Sequence, residues 1–278
     1  MNARTWGCVC AVVVGTLTAG WSYAQTKSLI AAAAGSELAD RRALNRVYFD
    51  PASTADQKVR ARQALADLNT ATIFGKKIVD GDPLVYACTV RAGDTLFGLS
   101  KRSGCPVEII RQINGMKPSD VLRAGSTIKL LRGPFHARIS KSVCAIDVFA
   151  RSPSGEPTLI HHARVSVGRN NATPEGQFRV AGKAEKATWF PPASMKSTHP
   201  APVKWGEKGY PLGKDGLFMR LTGTEPATAN LKGFGIHSTN DQAGIGQARS
   251  HGCVRVGDKD VRHIFNLLTD GSDVTIVP

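Results

Sequence analysis

Cys253 lies in the run Ser250-His251-Gly252-Cys253-Val254-Arg255, and His237 precedes it by sixteen positions. A thiolate is a competent nucleophile toward an acyl carbon, and a neighbouring imidazole can take the thiol proton. Gly252 admits a tight bend, which would let the main-chain N–H groups of Gly252 and Cys253 face a developing oxyanion. Cys253 with the two candidate imidazoles His237 and His251 therefore forms a coherent acyl-transfer set. Taken alone, a thiol near histidines is equally compatible with a buried structural cysteine.

The compartment governs what the other thiols do. Residues 1–24 read as a secretory signal: Arg4 in the basic end, an apolar run opening at Cys8, and Ser22-Tyr23-Ala24 as a cleavage site before Gln25. Gly15, Thr16, Thr18 and Gly20 interrupt that run, so no membrane span is expected once the signal is removed. Cys8 and Cys10 leave with it, while Cys88, Cys105, Cys144 and Cys253 remain. In an oxidising compartment four cysteines allow three sets of pairings, although joining Cys144 to Cys253 would abolish the nucleophile. No Cys-x-x-Cys pair occurs, which disfavours a zinc site or a dithiol redox motif, and no metal or cofactor is expected. His161 and His162 sit in a strand-like run and read as packing or surface residues. Lys and Arg total 36 against 22 acidic residues, a net charge of +14 over 278 residues. Such a surplus favours an anionic partner. Export argues against nucleic acid and leaves acidic lipid or a carboxylate-rich wall polymer.

Three kinds of element must position the site. Residues 28–69 carry helical periodicity, with Leu38, Ala39, Leu44 and Val47 on one stripe and Val59, Leu65 and Leu68 on another. Asp50-Pro51-Ala52-Ser53 breaks them into a hairpin. It reads as a spacer in preference to a repeat fragment or a docking element, because a solenoid needs at least three repeats. From Tyr86 a β-prone run leads through Gly93 to a helix with Asp94 as N-cap, then to a second helix opening at Pro106 and ending at Asn114-Gly115. Residues 127–131 supply a closing strand. Beyond Gly133-Pro134, strands are expected over 139–150, 159–167, 177–180, 217–221, 233–237 and 274–277, with one helix after Gly257.

Tyr86, Val90, the run Gly93-Asp94-Thr95-Leu96, Asn114, and Leu122 with Gly125 and Ile128 resemble a LysM module over residues 85–132. The resemblance implies binding of N-acetylglucosamine-containing glycans such as peptidoglycan, in a groove between the Gly93–Leu96 loop and the segment after Asn114. Cys88 and Cys105 both fall inside this module, where a bridge would staple a small core; two buried free thiols are the alternative.

His237 with Ser250-His251-Gly252-Cys253-Val254-Arg255 resembles the signature of L,D-transpeptidase (YkuD-like) catalytic domains. Val167-Gly168, residues 173–178, Trp189 with Pro191-Pro192, and Pro211-Leu212-Gly213 agree in order. Family members often carry Gly where this chain has Ser238, and Val256 is a mild departure at an apolar position. The fold implied is a mainly β catalytic domain, a β-sandwich of YkuD type, with a small βααβ LysM module and an N-terminal helical hairpin. The expected layout is a signal over 1–24, the hairpin over 25–84, LysM over 85–132 and the catalytic domain over 135–278.

The resemblance also implies a mechanism. His237, held by the carbonyl of Ser238, deprotonates Cys253, which attacks a peptidoglycan stem peptide and forms a thioester. The N–H groups of Gly252 and Cys253 form the oxyanion hole, and His251 and Ser250 shape the turn, with Ser250 also among the residues expected to contact substrate. Arg255 either pairs with a substrate carboxylate or braces the turn, and Trp189 either lines the groove or anchors a loop. The protein is expected in the periplasm or cell wall, as a monomer, with peptidoglycan as its partner. Two rivals remain: hydrolysis of the same thioester by water, and an inert wall-binding protein. The intact His237/Cys253 pair argues against the second.

Overall fold

Thr54 opens a helix because its hydroxyl accepts from Gln57 N–H (3.2 Å) while the Gln57 side chain accepts from Thr54 N–H (2.8 Å). The chain is seen in a computed structural model that describes residues 37–192, 195, 197–198 and 200–278, so the signal segment lies outside the described residues. Helix α1 (Glu37–Phe49) packs on α2 (Ala55–Thr72) through Leu44, Ala61, Ala64, Leu65 and Leu68. Val59 faces solvent instead of joining the stripe. The same apolar cluster takes in Leu159, far along the chain, so this hairpin is docked on the body and does not stand off as a spacer.

Strands β1 (Val85–Thr89) and β2 (Thr127–Leu131) pair antiparallel and enclose α3 (Leu96–Ser103) and α4 (Val107–Asn114). Thr95, not Asp94, caps α3, its hydroxyl accepting from Gly98 N–H at 3.0 Å. Asp94 instead accepts from Arg91 N–H and pairs with Arg102 at 2.7 Å. The αL conformation of Gly115 ends α4. Cys88 and Cys105 are both free thiols, so the bridge between them is not formed; Cys105 is buried and packs as an apolar residue.

The remaining strands are β3 (Phe135–Ser140), β4 (Ala145–Arg151), β5 (Pro157–Gly168), β6 (Gly176–Ala184), β7 (Phe218–Gly223), β8 (Gly235–Ser238), β9 (Ala248–Ser250), β10 (Val254–Val256) and β11 (Asp273–Val277). Their order is β10-β8-β7-β6-β11-β3-β4-β5-β9, and β10 also pairs with β5. The mainly β catalytic domain is as expected, its sandwich-like body built from one sheet that curls until β10 meets β5. The single strand expected over 139–150 is a hairpin, because the chain turns at Lys141–Cys144 with Cys144 at φ 50°. Helix α5 (Val261–Leu267) covers one opening with Val261, Ile264, Phe265 and Leu267 buried.

Candidate active site

Strand β10 fixes the relation between thiol and imidazole. It runs parallel to β8 with Val254 opposite Ile236 and Arg255 opposite His237, so Cys253 enters the sheet beside the strand that carries the histidine. Alternation of side chains puts Cys253 and Arg255 on one face, and His237 on that face of the neighbouring strand. Cys253, His237, Arg255, Ser250, His251, Gly252 and Trp189 all line one cleft of about 950 Å³. Trp189, Phe190, Pro191, Pro192 and Met195 from the long β6–β7 connection give the cleft an apolar wall. Trp189 pairs with Val203 across that connection through two 2.9 Å backbone bonds, which makes it a loop anchor as well as a cleft wall.

His237 Nδ1 lies 2.6 Å from the Ser238 carbonyl. A carbonyl only accepts, so Nδ1 carries the proton and Nε2 is the basic nitrogen. The ring of Phe218 stacks on the imidazole with centroids 6.0 Å apart. Burial, aided by the Arg255 charge, lowers the His237 pKa to about 4 even though the Ser238 bond opposes the shift. Burial also pushes the Cys253 thiol up, against a Gly235 N–H bond and Arg255, which both favour the thiolate. Both groups are therefore neutral at rest, and Cys253 Sγ donates to the Gly233 carbonyl at 3.5 Å.

The Ser250–Cys253 turn is held from inside. Ser250 Oγ donates to Cys253 O (2.6 Å) and accepts from Gly252 N–H (3.1 Å). That second bond corrects the expectation that the Gly252 amide faces an oxyanion: it is spent on the turn. Gly252 itself is required, since φ is 138° and a Cβ would stand 3.1 Å from Phe234 and 3.2 Å from Ala172 O. Arg169 donates to His251 Nε2 at 3.0 Å, so that nitrogen is taken, and burial and Arg169 keep the ring neutral. Arg255 pairs with Asp241 at 3.3 Å, the bracing alternative, while its head still reaches the cleft.

Two supports escaped sequence reasoning. Thr173 Oγ1 donates to Gly252 O (2.8 Å) and accepts from Gly168 N–H (2.7 Å), tying the Thr173-Pro174 block to the thiol turn. Ser238 Oγ accepts from Leu217 N–H (2.9 Å) and donates to Leu212 O, fastening the Pro211-Leu212-Gly213 block to the histidine strand. Blocks recurring in fixed order were the available signal; their hydrogen-bond partners were not.

In the smaller module, Gly93 is exposed at φ 83°, Asp94 and Thr95 build the turn, and Leu96 packs on the core. Asn114 does not present its amide to solvent. It donates to Ile110 O and Lys129 O and accepts from Lys129 N–H, all at 2.8 Å. Phe97 is 67% exposed on α3 and Val121 78% exposed in the α4–β2 connection. Among the described residues no His, Cys, Asp or Glu cluster could hold a metal ion, and no helix is long and apolar enough to cross a membrane.

A closed β sheet with a thiol and an oriented imidazole in one cleft, behind a βααβ unit, defines a two-module protein with a Cys–His site. Residues 154–276 match the YkuD family, the L,D-transpeptidase catalytic domain, and residues 88–130 match the LysM domain. The chain carries a YkuD-type L,D-transpeptidase catalytic domain preceded by a LysM domain. It is 24% identical over 198 residues to the probable L,D-transpeptidase YcfS of Escherichia coli, covering 66% of this chain and 59% of that protein. It is 31% identical over 113 residues to the putative L,D-transpeptidase YqjB of Bacillus subtilis, covering 40% of this chain and 56% of that one. The chain thus spans somewhat over half the length of these relatives. Among solved structures, L,D-transpeptidase 3 from Mycobacterium tuberculosis aligns at 19% identity and a TM-score of 0.38, covering 57% of this chain and 67% of that one.

Proposed function

We propose that this chain is an exported L,D-transpeptidase that acts on peptidoglycan stem peptides through a thioester on Cys253, held at the wall by its LysM domain. The observation that carries this reading is the tautomer of His237. With Nδ1 bonded to Ser238 O, Nε2 is the base, in the cleft that Cys253 lines.

Cys253 Sγ attacks the carbonyl between the L-centre of a diamino acid and the following D-residue, and its proton passes to His237 Nε2. Charge on the carbonyl oxygen is met by Cys253 N–H, a donor of a kind worth about 2.7–4 kcal/mol in other acyl-transfer sites. The C–N bond breaks, His237 returns the proton to the departing amine, and the terminal D-amino acid leaves. An acceptor amine then attacks the thioester and loses its proton to His237. The sulfur departs as thiol, and an amide joins donor to acceptor. The Ser238 carbonyl stabilises the transient imidazolium, the work a third side chain does in other triads. Arg255, braced by Asp241, stands in the cleft as the partner for a stem carboxylate.

Purified chain incubated with disaccharide tetrapeptides and followed by mass spectrometry tests the proposal. Cross-linked dimer with release of the terminal D-amino acid is the expected result. Tripeptide alone would identify hydrolysis, and unchanged substrate would leave only a wall-binding role.

A further inference from the structure

The LysM domain and the closed sheet are joined by residues 132–134, and these are tied down. Arg132 N–H donates to Leu84 O and Gly133 N–H to Ser103 O, both at 2.8 Å. Gly104 and Gly133 approach so closely that a Cβ on Gly104 would lie 2.8 Å from the Gly133 carbonyl carbon. One apolar core runs from Ile109, Ile110 and Ile113 into Phe135, Ala137 and Ile264.

The helical hairpin braces this junction from both sides. Lys129 on β2 is 2% exposed, and its Nζ donates to Thr72 O (2.7 Å), Gly75 O (2.7 Å) and Lys77 O (2.6 Å) at the end of α2. Three carbonyls match the three donors of an ammonium. The Lys129 peptide is itself gripped by Asn114 through both its N–H and its carbonyl. Toward the sheet, Asn45 Oδ1 accepts from Leu159 N–H (2.7 Å), Asn69 Nδ2 donates to Leu159 O (2.7 Å), and Tyr48 Oη donates to Asp147 (2.7 Å). Leu159 lies near the start of β5, whose far end pairs Ser166 with Arg255, two residues past Cys253. Buried directional bonds specify one orientation in a way that apolar contact alone does not.

We infer that the hairpin is a strut holding the LysM domain and the Cys253 cleft in one fixed relation, so that the chain prefers stem peptides still attached to a long glycan strand over short detached stems. This rests on the reading of both domains given above. A linked pair of sites gains effective concentration only where the geometry lets both engage at once, and a loosened strut forfeits that gain. Lys129 and Asn45 act here as positioning residues, remote from the reacting atoms.

The test compares release of the terminal D-amino acid from purified sacculi, which offer a continuous glycan strand, and from a detached disaccharide tetrapeptide. Full-length wild type is set against Lys129→Met and, at the other end of the strut, Asn45→Ala with Tyr48→Phe. Both variants are expected to keep the detached-stem rate within about two-fold and to bind sacculi as before, yet to lose about ten-fold in rate on sacculi. Should Lys129→Met fail to fold, the Asn45/Tyr48 variant carries the same comparison. Equal loss on both substrates, or loss on neither, would overturn the strut. Inactivity of the wild type on both would overturn the transpeptidase reading and the strut with it.

Discussion

At His237, Nδ1 is fixed on the Ser238 carbonyl, which leaves Nε2 as the nitrogen that moves the proton in the proposed reaction. The His237 pKa of about 4 and the raised Cys253 thiol leave both groups neutral at neutral pH, so in the proposed reaction the proton would move as the S–C bond forms. The acid limb of kcat/KM should therefore fall near pH 4, where the imidazole charges. A fall at the ordinary histidine value of about 6.5 would contradict the buried, neutral ring. Cys253→Ala should lower turnover by at least about 10³-fold with sacculus binding retained. His237→Ala should cost far more than His251→Ala, because Arg169 already occupies His251 Nε2. Thr173→Val strips Gly168 N–H of its acceptor and frees the Gly252 carbonyl, so it should cost about 1–3 kcal/mol of stability and lower kcat more than KM.

Among the elements, the β6–β7 connection forms the apolar wall, and Ser238 is its fastening. Ser238→Ala leaves the buried Leu217 N–H unpaired, and thermal melts should show a loss of about 1–3 kcal/mol. Helix α5 contributes a pH response. His263 packs edge-on to Phe74 and His161, and burial, with the neighbouring His161, lowers its pKa to about 4 while Asp260 opposes the shift. An unfolded His charges near 6.5, so between there and pH 4 the unfolded chain takes up the proton first and stability falls. His263→Phe should remove up to about 3 kcal/mol of that loss, read as denaturation midpoints at pH 7 and pH 4.5. The long alternating strands, the α3 and α4 turns and the Cys–His signature were legible because their cues are local. Strands β9 and β10 were not, since three residues carry no period and their pairing with β5 and β8 is remote in sequence. The fate of the Gly252 amide was hidden for a related reason: nothing in Ser-His-Gly-Cys says that the serine hydroxyl folds back onto it. The hairpin's role was hidden too, because Asn45, Asn69 and Lys129 look like solvated polar residues until their partners in other elements are known.

For the whole molecule, a net charge of +14 and a braced two-domain body point to one encounter with an anionic polymer. Binding to sacculi should weaken as salt rises from about 0.05 to 0.5 M, while kcat on detached stems changes little, because screening acts on the long-range field and not inside the cleft. The proposed acyl-enzyme is measured most directly by intact and peptide-level mass spectrometry of chain quenched during turnover of a disaccharide tetrapeptide. The expected result is one adduct, equal to the substrate minus its terminal D-amino acid, on the peptide bearing Cys253 and absent from Cys253→Ala. An adduct on another residue, or undiminished turnover by Cys253→Ala, would contradict the account.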